Sequence, residues 1–216
     1  MSARAMIIVG GGSSTRFGSD KLLTPVSGEP LIVHTIEAVS GHVERCVVVV
    51  RAEVVDQVGA LLPDVAVTPG GATRTLSEMA GLAALGGDFD LIGIHDAARP
   101  TPPADLVEKL FTTAESTGGA VPVIESDAML LDRKTHRPAA GLNRAQTPQV
   151  FRAPELMTAY VRAAQSGFEG QDTAEVVMKH TDLVVAAVPG DISNLKVTYP
   201  QDLAMVGLIL EERSRT

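Results

Sequence analysis

Tryptophan is absent from this sequence of 216 residues, and with two Tyr and five Phe the aromatic share is only 3%. That scarcity argues against a stacking platform for single-stranded nucleic acid and leaves the core to aliphatic side chains. Positive charge is also in short supply. Eighteen Lys and Arg face 26 Asp and Glu, a formal charge of −8, which argues against non-specific nucleic-acid binding. It leaves room for a small phosphorylated ligand, which needs only a few local cations. The single cysteine, Cys46, rules out a disulfide framework within the chain and reads as a core thiol in Cys46-Val47-Val48-Val49-Val50. No apolar run approaches the ~18 residues of a membrane span. The segment Met1–Met6 leads straight into Ile7-Ile8-Val9, a run too short for a secretory signal, so a cytoplasmic protein is expected.

Hydrophobic residues make up 45% and charged residues 20%, an ordinary globular composition for one domain spanning 1–216. Short aliphatic runs at 5–9, 46–50, 65–68, 91–95, 119–123 and 183–188 read as buried parallel strands. Helical patterns lie between them, at about 30–39, 52–62, 74–85, 103–117, 153–166, 172–180 and 200–213, the first opened by Pro30 at its first position. This alternation predicts a Rossmann-like α/β fold with a mostly parallel sheet and helices on both faces. Residues 125–146 break the pattern. They read as a projecting β-arm suited to packing on a second subunit, with a surface loop as the alternative.

The loop Val9-Gly10-Gly11-Gly12-Ser13-Ser14-Thr15-Arg16-Phe17 follows the first strand at once. Glycines let backbone N–H groups approach an anion closely, and Arg16 and Lys21 add charge. It is neither a P-loop nor a dinucleotide fingerprint, because no Gly-Lys-Ser/Thr closes it and Thr15 stands where a third glycine would. Ligands of such sheets sit beyond the carboxyl ends of the strands. The segments found there are Gly70-Gly71-Ala72-Thr73-Arg74, His95-Asp96-Ala97-Ala98-Arg99-Pro100, Glu125-Ser126 and Asp191 to Lys196. Arg74 and Ser77 share a helix face. Asp96 also suits a turn-capping role, Asp172 a helix N-cap, and His95 a structural role rather than that of a base.

Taken in order, the Gly-rich loop with Arg16 and Lys21, Gly70-Gly71-x-x-Arg74-x-x-Ser77, His95-Asp96-Ala97-Ala98-Arg99-Pro100, Gln146-Thr147-Pro148-Gln149 and Asn194-x-Lys196 resemble the 2-C-methyl-D-erythritol 4-phosphate cytidylyltransferases. The resemblance implies transfer of CMP from CTP to that polyol phosphate, with release of pyrophosphate, in non-mevalonate isoprenoid synthesis. It implies Arg16, Lys21 and Lys196 as catalytic cations. Gly10, Gly11, Gly12, Gly71, Ala72, Arg74, Ser77 and Asp96 would bind nucleotide; Asp96, Arg99, Ser126 and Thr147 would bind the acceptor. It implies Mg²⁺ carried mainly on the CTP phosphates, with no protein metal ligand assigned, and a homodimer joined through the arm. The family's arm cation is replaced by Ala128, and Arg137 and Arg144 both remain candidates for its arm arginine. Another polyol phosphate, such as ribitol 5-phosphate, and a non-catalytic nucleotide-binding paralogue stand as alternatives.

Overall fold

Three strands set the frame: β1 (Arg4–Gly10), β4 (Arg45–Val50) and β6 (Leu91–Asp96). In the computed structural model β1 pairs parallel with both neighbours, Gly10 beside Val50 and Val9 beside Asp96, so all three end on one edge. The structure describes residues 2–11, 17, 20–126, 130–131, 138–139 and 142–215. Two short strands, β2 (Pro25–Val26) and β3 (Glu29–Pro30), form a hairpin ahead of α1 (Leu31–Ser40). Pro30 is therefore the residue before the helix rather than its first member, because it also pairs with Pro25.

The remaining elements are α2 (Val55–Leu61), β5 (Ala66–Pro69), α3 (Arg74–Leu85), α4 (Ala104–Thr117), β7 (Gly119–Glu125), β8 (Leu130–Leu131) and β9 (Pro138–Ala139). They continue with β10 (Asn143–Ala145), β11 (Gln149–Arg152), α5 (Ala153–Ser166), α6 (Thr173–His180), β12 (Val185–Pro189) and α7 (Asp202–Ser214). The predicted strands and helices appear within a few residues of their expected bounds. Beyond them, β10 and β11 run antiparallel to β7, and β11 wedges between β7 and β6. Within the anticipated arm, β8 and β9 pair antiparallel.

Period-two alternation explains the two-sided core. Met6, Ile8, Val48 and Val50 face one layer with α1, α2, α4 and α7, whereas Ala5, Ile7, Val47 and Val49 face the other with α3, α5 and α6. Both faces are covered, so the strand runs are continuously apolar. Each fully buried Val or Ile contributes roughly 1.5–3 kcal/mol relative to exposure. Gly81 of α3 lies so close to the sheet that an added Cβ would stand 2.4 Å from Ile7 Cγ2, which brings the amino end of this helix down onto the loaded edge. Cys46 is half-buried at the rim of the core rather than inside it, and burial pushes its thiol up to about 11. Among the described residues no helix is long and apolar enough to cross a membrane.

Candidate active site

Asp96 ends the central strand and is almost fully buried. Three cations from three separate segments meet its carboxylate. Arg74, the first residue of α3, places Nη1 2.8 Å from Oδ1. Lys196, in the loop after β12, places Nζ 2.8 Å from Oδ2, and Arg99 brings Nε to 3.4 Å of the same oxygen. Burial disfavours the charge, yet Arg74, Lys196 and Arg99 together hold the Asp96 carboxyl well below its usual range. Burial also opposes the charge on Arg74, but Asp96 and Glu78 outweigh it and keep that guanidinium protonated more firmly than usual. For Arg99 the loss of hydration wins and the shift is downward.

Behind Asp96 lies a hydrogen-bonded frame. Its amide N–H donates to Thr147 Oγ1 at 2.9 Å, and Thr147 Oγ1 lies 3.1 Å from His95 Nδ1. His95 Nε2 lies 2.9 Å from the Arg99 carbonyl, which can only accept. The proton is therefore on Nε2, Nδ1 accepts from Thr147, and the imidazole is neutral. Complete burial, which lowers its pKa to about 4, agrees with that state. Arg99 Nη1 donates to the Asn194 carbonyl at 2.8 Å, and Asn194 Nδ2 donates to the Thr147 carbonyl at 2.8 Å. Gln146 adds bonds to the Asp191 and Asn194 carbonyls. These contacts fasten the loop that carries Lys196 to the end of β6.

The antiparallel return places Thr147 here. Ala145 pairs with Val123 and Gln149 with Ile94, so the residues between them cross above the carboxyl end of β6. Thr147 is expected to contact the acceptor, but its hydroxyl is turned inward onto Asp96 and His95. Asp172 caps α6, accepting from Ala174 N at 2.9 Å, while Gln149 Nε2 donates to its other oxygen. Glu175 reaches back to the amide of Gln171 rather than of the cap residue itself.

Backbone proximity gathers the glycines. A Cβ at Gly11 would stand 2.9 Å from Ser77 Oγ, and one at Gly70 2.7 Å from the same atom. Gly11 and Gly70 thus converge on Ser77, whose hydroxyl donates to the Thr73 carbonyl at 2.8 Å. Gly71 and Ala72 are exposed beside it. Gly10 packs against Leu22, inside the short turn that bears Lys21. Asp20 caps that turn and is paired at 2.5 Å with Arg51 Nη2. Lys21 Nζ donates to the Val197 carbonyl at 2.9 Å, so it joins the loop of Lys196. Gly12, Arg16 and Arg137 lie outside the described residues. Ser126 follows β7 and Arg144 sits exposed on β10; neither is bonded into the Asp96 network among the described residues.

Glu78 is the main member that motif reading passed over, although its place one turn after Arg74 was visible. It is fully buried, with Oε1 2.9 Å from Arg74 Nε, a contact between charges rather than an aligned hydrogen bond. Loss of hydration raises its pKa, against the pull of Arg74 and the hydroxyls of Tyr160 and Thr173. The edge can hold polyanions: three cations face two carboxylates on a chain that is acidic as a whole.

A sequence model of the family "2-C-methyl-D-erythritol 4-phosphate cytidylyltransferase" matches residues 4–212. A protein of that name from Solibacter usitatus is 33% identical over 97% of this chain and 96% of its own. A "bifunctional enzyme IspD/IspF" of Rhodobacter capsulatus is 38% identical over 97% of this chain, which spans 56% of that longer protein. The crystal structure of the Thermus thermophilus cytidylyltransferase superposes with a TM-score of 0.79 at 27% identity, over 95% of this chain and 98% of that one.

Proposed function

The chain belongs to the 2-C-methyl-D-erythritol 4-phosphate cytidylyltransferase family, and we propose on that premise that the edge around Asp96 is where its reaction takes place. CMP passes from CTP to 2-C-methyl-D-erythritol 4-phosphate, giving 4-diphosphocytidyl-2-C-methyl-D-erythritol and pyrophosphate. The observation that carries the site is the meeting of Arg74, Arg99 and Lys196 on one carboxylate at the strand ends.

A phosphate oxygen of the acceptor attacks the α-phosphorus of CTP as pyrophosphate departs on the opposite side. The nucleophile is already anionic, so no strong base is required, and buried neutral His95 serves the frame instead. The task is to hold two polyanions in line and stabilise the crowded phosphorus. Lys21 and Lys196 reach the reacting phosphates from two sides, and Arg16 completes the set. Gly71, Ala72 and Ser77 read the base beside Gly10, Gly11 and Gly12. Asp96 and Arg99 orient the ribose and the acceptor, with Ser126 on the acceptor side and Thr147 holding Asp96 from behind.

Among the described residues no group of three or more acidic, histidine or cysteine side chains could cage a metal ion, and both Asp96 oxygens face cations. Mg²⁺, which prefers phosphate oxygens and water, would come in on the triphosphate and neutralise charge there. A homodimer built through the arm and a cytoplasmic location complete the proposal.

Pyrophosphate release from CTP and Mg²⁺ tests it, with 2-C-methyl-D-erythritol 4-phosphate beside ribitol 5-phosphate and a control lacking acceptor. Turnover with the methylerythritol substrate is expected. Preference for ribitol phosphate overturns the acceptor, and silence with both overturns the reaction.

A further inference from the structure

Glu78 is the one acidic residue of α3, it is fully buried, and the reaction above gives it no task. Three helices converge on it. Tyr160 of α5 donates its hydroxyl to Oε2, and Thr173 of α6 donates to Oε1 at 2.8 Å. From its own helix, Arg74 presents Nε at 2.9 Å. An ion pair sunk in an apolar layer is a poor source of stability, since well-packed apolar residues often do as well. Its position relative to Asp96 suggests another use.

The three nitrogens of Arg74 have different surroundings. Nη1 meets Asp96 Oδ1, Nε meets Glu78, and Nη2 is buried with no hydrogen-bond partner among the described residues. A guanidinium beside a carboxylate favours the two-pronged pairing of Nη1 and Nη2 with both oxygens. Here that pairing would claim Oδ2, the oxygen that Lys196 and Arg99 occupy. Glu78 Oε1 stands 2.9 Å from Nε without an aligned hydrogen bond, a charge contact that opposes such a pivot.

We propose that Glu78, backed by Tyr160 and Thr173, is a positioning residue that restricts Arg74 to one oxygen of Asp96, keeping Oδ2 for Lys196 and Arg99 and leaving Arg74 Nη2 for an acceptor atom of the bound nucleotide. The inference rests on the reading of this edge as the CTP site.

Glu78→Gln keeps the size of the side chain and removes its charge. The expected result is a tenfold or greater fall in kcat/KM for CTP, with KM for the acceptor within twofold. In an Arg74→Lys background, which lacks the Nε side, Glu78→Gln should cost at most twofold more, read by CTP affinity where turnover is too slow. A structural role would lower both backgrounds alike, and that outcome overturns the proposal, as does an unchanged kcat/KM. If Glu78→Gln fails to fold, Tyr160→Phe carries the test, with about a threefold loss expected in the same parameter and no loss overturning it. Calorimetric titration with CTP separates the two readings. A wild type that binds CTP without turnover overturns the reaction, while Glu78→Gln must still weaken CTP binding tenfold for the positioning role to stand. A wild type that binds no CTP overturns both.

Discussion

The ammonium of Lys196 stands 2.8 Å from Asp96 Oδ2, tying the loop after the last parallel strand to the tip of the central one. Arg74 holds the other oxygen, so one carboxylate gathers cations that would otherwise repel one another.

Asp96→Asn should therefore leave three cations without their shared anion. Removing one partner of a buried charge cluster costs about 3–5 kcal/mol, and the half-exposed Lys196 places this case at the lower end. Urea unfolding should show that loss, and added pyrophosphate should restore more stability to the variant than to the wild type. Equal stabilisation of the two by pyrophosphate would mean that the cations do not act as one anion site.

Lys21→Ala should lower kcat much more than CTP affinity, because its charge matters most when negative charge concentrates at the reacting phosphorus. The kinetic constants, with CTP titration alongside, check this. A kcat equal to that of the wild type removes Lys21 from the mechanism.

Stability should fall on acidification through His95. Its pKa lies near 4 in the folded protein, against about 6.5 for an unperturbed histidine, so the unfolded chain takes up the proton first. The contribution of the neutral ring is intact above about pH 6.5 and shrinks as pH falls toward 4, by about 2 kcal/mol at pH 5. Glu78, shifted upward, acts in the opposite sense, so the comparison must be internal. Chemical denaturation at pH 7.5 and 5 should show a smaller pH effect in His95→Asn than in the wild type; the same slope in both would refute the assignment.

Gly10→Ala should be damaging without touching a ligand. Its Cβ would meet Leu22 Cδ1 at 2.5 Å and Ala97 Cβ at 3.1 Å, so the turn bearing Lys21 must shift. Overpacking of this kind costs about 1–3 kcal/mol. Thermal melting should report the cost, and kcat should drop further than Tm alone explains. A variant with normal kcat would show that Leu22 yields while Lys21 stays in place.

The parallel strands were legible because apolar runs such as Ile7-Ile8-Val9 and Cys46 to Val50 have no other comfortable home. Strands β10 and β11 were not, since Asn143-Arg144-Ala145 is polar and exposed and Pro148 stands immediately before the short run Gln149 to Arg152. Only tertiary pairing makes them strands. Motif reading named Arg74, Asp96, Arg99 and Lys196 one by one. Their shared carboxylate was not visible, because it depends on how the ends of α3 and β6 meet the loop after β12. Thr147 was named as a ligand contact, whereas its hydroxyl serves Asp96 and His95. Glu78 was missed because a glutamate at a core position of an amphipathic helix reads as a surface residue until its hydroxyl donors on two other helices are seen.

The contacts that assemble this edge join residues far apart in the chain: Asp96 with Thr147, Arg99 with Asn194, and Lys21 with Val197, 51, 95 and 176 positions distant. Loop closure on that scale is slow, and its entropy must be met before the contacts form. Assembly of the cluster therefore depends on contacts between distant parts of the chain. A chain still emerging from the ribosome has its first glycine loop and its central strand before Lys196 is made, so the edge cannot be complete until the loop after β12 has docked. Release of that loop would remove Lys196 from Asp96 and the carbonyl partner from Lys21 together.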